Sequence, residues 1–430
     1  MNRSSSISQP TKRPLGRHLL GKRLAPRPLL VGPLCLAVAL SVPESAWAQK
    51  FADIAKTPPL GWNSWNRFGC NIDEKTVMRQ ADAMVSSGLA AAGYRYIVID
   101  DCWHGERDKD GFIQPDPQHF PGGMKKLAAY VHDKGLSFGI YSDAGAKTCG
   151  GKPGGRGHEY QDALVYARWG VDYLKYDWCN ADDLSAPGAY RTMSEALRAA
   201  GRPIVFSLCE WGKNEPWKWA GPIGHLWRTT GDITDCFDCV VDHGTWQSWG
   251  VLQILDKQTG LRSFAGPGRY NDPDMLEVGN AMTLSEDRAH FSAWAMLAAP
   301  LIAGNDLATM TKETLSILGN REVIAVDQDR LVIEGFRYLA RGGLEVWVKP
   351  LEKGELAVTF LNRGTTPEAV SFDWAAHGLN DNFSHLRFDF KKQVYRIRDL
   401  WAHRDLGTTQ TPLTGSVAGH DVWMLRLRPG

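Results

Sequence analysis

Two aspartates sit in settings that suit a nucleophile and a proton carrier. In Tyr173-Leu174-Lys175-Tyr176-Asp177-Trp178-Cys179, strand alternation turns Lys175 and Asp177 to one side, with Asp177 where the strand becomes a loop. A carboxylate beside an ammonium stays ionised, which suits a nucleophile. Asp232 ends the stretch Trp227-Arg228-Thr229-Thr230-Gly231-Asp232, two strand-like runs further on, where it could face Asp177 across one opening. Retaining glycoside hydrolysis uses such a pair about 5 to 5.5 Å apart, one attacking the anomeric carbon and the other protonating the leaving oxygen.

What must position them is an alternation of strands and helices. Apolar runs occupy Leu60 to Trp65, Tyr94 to Asp101, Ser137 to Asp143, Val171 to Asp177, Pro203 to Glu210, His225 to Asp232, Ser263 to Asp272 and Leu297 to Asp306. Amphipathic stretches such as Val77, Met84 and Leu89 fill the seven intervals. Eight such units in about 250 residues have the rhythm of a (β/α)8 TIM barrel, an α/β fold whose buried strands read as continuous apolar runs. No GxGxxG turn follows the first strand, which disfavours an open doubly wound sheet. Nearly every run ends in polar or aromatic groups, and barrel sites gather at the C-terminal strand ends, so one polar pocket is expected. Beyond Leu331, the alternating segments Leu344 to Val348, Leu356 to Leu361, Val394 to Ile397 and Val422 to Leu427 predict a C-terminal antiparallel β-sandwich. The expected organisation is thus a leader over 1–48, a catalytic barrel over 49–330 and a sandwich over 331–430.

The leader carries seven bases before Leu29, then the apolar run Leu29 to Val42 and the small-residue site Ala46-Trp47-Ala48. That run is short of the roughly 20 residues that span a bilayer, so a secretory signal cleaved near Ala48 is expected, with a secreted or periplasmic product. Without it the chain holds 42 bases and 47 acids, a net of −5 in place of the full chain's +1. Neither value implies nucleic acid or membrane as a partner. Seven cysteines remain, an odd number, so export leaves at least one free thiol. Cys236 and Cys239 form a lone CxxC, read as a local disulfide or two thiols, since no second pair completes a zinc site. Of the 17 Trp, twelve lie in the barrel, with Trp62, Trp65, Trp103, Trp178 and Trp211 at or just past strand ends, where sugar faces stack.

Six motifs in order carry a resemblance: Pro59-Leu60-Gly61-Trp62-Asn63-Ser64-Trp65, Ile99-Asp100-Asp101-Cys102-Trp103, Tyr141-Ser142-Asp143-Ala144-Gly145, Leu174-Lys175-Tyr176-Asp177, Cys209-Glu210-Trp211-Gly212 and Asn271-Asp272-Pro273-Asp274-Met275-Leu276. Together they resemble the retaining α-galactosidases of glycoside hydrolase family 27, the melibiase family, over about residues 57 to 330. The resemblance implies Asp177 as nucleophile and Asp232 as acid/base. It implies Asp100 and Asp101 as acceptors for the galactose 4- and 6-hydroxyls, Lys175 and Arg228 as donors, Trp65 in the wall and Met275 under the sugar. Tyr141, Cys209, Glu210, Trp211 and Asp274 complete the expected substrate-binding set. It also implies disulfides Cys70 with Cys102 and Cys149 with Cys179, with Cys209 free in the pocket turn. Neither a cofactor nor a metal is implied; the partner is a small-molecule or polysaccharide substrate ending in α-galactose.

Several positions keep two readings. Asp101 reaches the ligand only if its strand has ended by Asp100, and is otherwise a cap. One of Trp62 and Trp65 belongs to the core, Met275 fills either core or pocket, and Lys175 and Arg228 can form interior ion pairs. Glu210, bulky where relatives acting on N-acetylgalactosamine have a small residue, favours a free 2-hydroxyl. Aspartate at 100 favours galactose over β-L-arabinopyranosides. A carboxylate-metal hydrolase would need histidines that these strand ends lack, and a non-catalytic galactose-binding protein would not need both carboxylates.

Overall fold

In the computed structural model, residues 50–430 are described, Asp182 excepted. The leader over 1–48 therefore lies outside the described residues. Eight parallel strands form the barrel: Leu60–Asn63, Tyr96–Val98, Ser137–Asp143, Tyr173–Asp177, Val205–Cys209, Leu226–Arg228, Tyr270–Asp272 and Leu301–Ala303. Each falls within one of the eight apolar runs. The first seven strands pair consecutively, the first also pairs with the eighth, and Leu276, beyond the seventh strand, closes the ring by bridging Ala303. Gly61 permits one of these approaches, since a Cβ there would lie 2.5 Å from the Tyr96 carbonyl oxygen.

Helices lie between most strands, with their apolar faces on the barrel. Glu74–Ser86 starts at Asp73, whose side chain accepts from Thr76 N, and buries Val77, Ala81 and Met84. The interval between Val205–Cys209 and Leu226–Arg228 differs from expectation, because it holds only the 3₁₀ turn Pro216–Lys218. Gly212 and Glu215 both have positive φ there, at 76° and 52°, and Pro216 follows, so an α-helix cannot run through.

The C-terminal part is antiparallel throughout. A six-stranded sheet runs in the order Phe336–Arg341, Leu344–Leu351, Glu355–Asn362, Val422–Pro429, Tyr395–Asp399, Arg404–Thr408, and the pair Glu368–Phe372 with Leu413–Val417 packs over it. Period-2 alternation serves two cores at once. Val346 and Val348 point into the sandwich with Phe360, Phe372 and Trp374, whereas Trp347 and Met424 join the barrel cluster. The helix Leu284–Met296, opened by a Thr283/Glu286 capping box, lies between the two parts. Its Arg288 pairs with Asp421 and its Ala295 carbonyl accepts from the buried Lys349 ammonium at 2.8 Å. A hydrogen bond from a charged group contributes about 1.5 to 3 kcal/mol, so the sandwich is fixed to the barrel by more than apolar area.

Candidate active site

The strand Tyr173–Asp177 alternates as its sequence requires. Leu174 and Tyr176 face the helices, and Lys175 and Asp177 turn to the other side, next to Tyr141 and Asp143 of the preceding strand by register. A cavity of about 630 Å³ opens at this end of the barrel, lined by Asp177 and Asp232 together. The range suits a ligand larger than one hexose ring.

Asp177 lies 6% exposed on its floor. The Tyr141 hydroxyl donates to its Oδ2 at 2.9 Å and the Trp178 N–H to its Oδ1 at 2.9 Å. Lys175 is not its ion-pair partner, contrary to expectation: the ammonium donates instead to Asp100 Oδ2 at 2.8 Å, where Asn63 Nδ2 also donates at 2.7 Å. Alternation set the shared side, but the nearest acceptor comes from a different strand. Burial raises the Asp177 carboxyl above its ordinary range, and the Lys175 charge works against that rise. Burial also disfavours the charge on Lys175, yet Asp100, Asp177 and Asp274 more than reverse this and keep it protonated.

The strand carrying Asp100 ends at Val98, which is the condition for both acids to turn inward, and both line the cavity. Asp100 Oδ1 accepts from Asp101 N at 3.0 Å. Asp101 is also a cap: its oxygens accept from Cys102 N at 2.6 Å and from Gly150 N at 2.7 Å, tying the Cys149 loop to the second strand. Burial raises its carboxyl, and those two N–H donors oppose the rise. Gly145 lets that loop close over the next, because a Cβ there would collide with the Cys179 carbonyl.

Across the cavity, the buried Arg228 guanidinium bridges Asp274 at 2.8 Å and Asp232 at 3.1 Å, and donates to the Thr230 carbonyl at 3.2 Å. Asp274, at the positive φ of 83°, accepts from Ile233 N at 2.8 Å, which fixes the backbone next to Asp232. Asp232 itself has a side chain 40% exposed; Arg228 holds its Oδ1, and its Oδ2 has no partner among the described residues. One carboxylate is therefore held in place by two donors, with the Lys175 charge favouring its ionised form, and the other keeps an oxygen open to solvent, where it can exchange a proton.

Trp65, Trp211 and Met275 line the cavity as well, while Trp62 is fully buried with its indole N–H donating to the Asn305 carbonyl. Cys209 and Glu210 do not reach the wall. Cys209 is a buried free thiol behind Arg228. Glu210 turns back into its own loop, accepting from Asn214 N and Nδ2, and burial pushes its carboxyl up to about 7. A short strand end followed by a tight turn gave it a backbone donor nearer than the pocket. The clustering of tryptophan at strand ends also proved partly structural: Trp103 is fully buried beneath Tyr141, and Trp178 stacks on Tyr190. Conversely, Trp246 and His243 line the cavity and were not singled out from the sequence. Two valines, a His-Gly turn and a Gln-Ser-Trp run form a hairpin signal that could have found them.

Disulfides join Cys70 to Cys102, Cys149 to Cys179 and Cys236 to Cys239. The first two pairings are those the resemblance implied, and the third resolves the CxxC as a disulfide. All three fit an oxidising compartment.

A closed parallel barrel that gathers paired aspartates, buried cations and aromatic walls at its C-terminal strand ends defines a barrel hydrolase for a polar, ring-shaped substrate. Residues 57–329 match the family described as alpha galactosidase A, and residues 341–427 its C-terminal beta sandwich domain. The chain is 58% identical over 401 residues to the alpha-galactosidase A of Cellvibrio japonicus, covering 93% of this chain and 99% of that one. Alpha-galactosidase I from Mortierella vinacea superposes with a TM-score of 0.81 at 36% identity, over 87% of this chain and 98% of that one. The Saccharomyces cerevisiae α-galactosidase with raffinose gives 0.80 at 30% identity, over 88% and 99%. The chain belongs to the melibiase family of α-galactosidases.

Proposed function

We propose that the chain releases terminal α-linked D-galactose from galactosides by double displacement, with Asp177 as nucleophile and Asp232 as acid/base. The observation that carries the roles is the placement of the two carboxylates on one cavity: Asp177 held by the Tyr141 hydroxyl and the Trp178 N–H with the Lys175 charge favouring its ionised form, Asp232 solvent-open with an Oδ2 that has no partner among the described residues. Family membership supports the galactoside substrate, and the raffinose complex of the yeast relative supports an oligosaccharide form of it.

In this reading an Asp177 oxygen bonds to the anomeric carbon as the bond to the leaving oxygen breaks, and that oxygen takes the proton from Asp232. Water then loses a proton to Asp232 and attacks the same carbon, releasing Asp177 and galactose with its configuration retained. Asp100 and Asp101 accept from the 4- and 6-hydroxyls, Lys175 and Arg228 donate to the ring, and Trp65, Trp211 and Met275 bound the apolar surface. Tyr141 and Asp274 position the two carboxylates. Cys209 acts behind Arg228 and Glu210 by shaping the turn that presents Trp211. We further read 1–48 as a secretory signal cleaved near Ala48, 49–330 as the catalytic part and 331–430 as the accessory sandwich, giving a secreted or periplasmic enzyme.

The test uses aryl glycosides. Asp177→Ala is expected to abolish hydrolysis of an aryl α-galactoside, and wild-type-like turnover would refute its role. Asp232→Ala is expected to retain more activity on good leaving groups than on poor ones; equal loss on both sinks the acid assignment. The same panel with α-N-acetylgalactosaminide and β-L-arabinopyranoside, with product anomer followed by NMR, checks the substrate and the retention.

A further inference from the structure

The chain between Asp232 and the helix Val251–Lys257 leaves the barrel as a small antiparallel hairpin, Val240–Asp242 with Gln247–Trp249. Its base is fixed firmly. Cys236 and Cys239 are cross-linked, their carbonyls accept from Val251 N and Gly250 N, and Trp249 N donates to the carbonyl of Asp232 itself at 2.9 Å. The hairpin is thus tied to the backbone of the proposed acid/base.

Its tip is unusual for an exposed turn. Trp246 is 51% exposed and lines the same cavity as Asp232. One face of its indole is covered by the His243 imidazole, with centroids 3.9 Å apart and planes within 17°. His243 is in turn held by the Ser248 hydroxyl at 2.9 Å, and Ser248 is buried. A large aromatic ring is therefore braced from behind and left open at the mouth of a polar cavity. Among the described residues nothing else covers its open face.

The order of groups along the cavity says what would. Asp177 and the Asp100/Lys175 pair lie at the floor, and Asp232 lies toward solvent with its free oxygen. Whatever departs as the leaving group passes Asp232 and meets the hairpin next. We propose that Trp246 is the stacking platform for the sugar ring on the leaving side of the scissile bond, making this hairpin a determinant of selectivity for oligosaccharide over ringless leaving groups. The inference rests on the hydrolase reading given above. A pyranose offers an apolar face of C–H groups to an indole and hydroxyl edges to the neighbouring Thr234 and Asp235, which line the same wall.

The measurement is the ratio of kcat/KM for melibiose, whose leaving group is a pyranose, to that for α-galactosyl fluoride, whose leaving group has no ring. Trp246→Ala is expected to lower this ratio about tenfold, chiefly through KM for melibiose, and Trp246→Tyr to restore most of it. An unchanged ratio in Trp246→Ala overturns the inference, whether both rates fall together or both hold. Should the alanine variant fail to fold, Trp246→Leu, which keeps bulk without a flat face, gives the same readout: a fall supports the platform and an unchanged ratio removes it. A wild-type enzyme inert on both substrates would instead overturn the hydrolase reading, so the two failures are distinguishable.

Discussion

Replacing Arg228 by methionine removes the cation that forms ion pairs with both Asp274 and Asp232 while keeping most of the side-chain volume. Arg228 is 3% exposed and Asp274 4% exposed, with their charged groups 2.8 Å apart, so the substitution leaves a buried carboxylate without its ion-pair partner. Breaking a buried pair in this way costs about 3 to 5 kcal/mol. The Asp232 contact adds little, because that side chain is 40% exposed and solvent screens it. For a chain of this size the unfolding entropy is about 0.8 kcal/mol/K, so a loss of about 4 kcal/mol lowers Tm by about 5 °C. The sign with pH follows from Asp274. Burial already raises its carboxyl and Arg228 opposes that rise, so without Arg228 the folded-state value climbs further above the unfolded one. A group raised in the folded state binds its proton more tightly there, and the unfolded state is common to both proteins, so the variant's deficit is small in acid and grows as pH rises from the wild type's folded-state value towards the variant's higher one. Melting curves of wild type and Arg228→Met at pH 4.5 and 7.5 measure both quantities. A deficit at pH 7.5 below about 1 °C, or one that is equal or larger at pH 4.5, would refute the reasoning.

Tyr141→Phe removes the hydroxyl that donates to Asp177 and stabilises its ionised form, so the acid limb of kcat/KM is expected to move to higher pH, as read from a pH–rate profile; a shift to lower pH contradicts it. The double variant Cys149→Ala/Cys179→Ala opens a closed loop of 30 residues that contains the strand Tyr173–Asp177. Chain entropy for that length predicts a loss of about 3 to 4 kcal/mol, together with a higher KM as the Gly150 N–H loses its hold on Asp101. Unaltered melting temperature and KM would both count against that role of the loop.

The sequence by itself determined the frame and most of the floor. Eight apolar runs ending in acids and aromatics are legible because a strand buried on both faces tolerates polar groups only where it stops, and a barrel brings all such stops to one mouth. Asp100, Lys175, Asp177, Arg228, Asp232 and Asp274 were readable on that ground. Their partners were not. Alternation puts Lys175 and Asp177 on one side but does not say that Asp100, 75 residues away, lies closer to the ammonium. Trp62 and Trp65 have the same type and a similar place in the sequence, yet one is core and the other wall, because the strand ends at Asn63 and a helical turn begins at Trp65. Glu210 read as a pocket residue until its turn supplied the donors of Asn214. Trp246 is the converse: it lies outside the barrel strands, and only folding of the cross-linked hairpin carries it to the cavity. Local pattern depends on burial and periodicity, which each segment carries within itself. Pairing and proximity depend on distances between segments far apart in the chain, and those exist only once the barrel has closed.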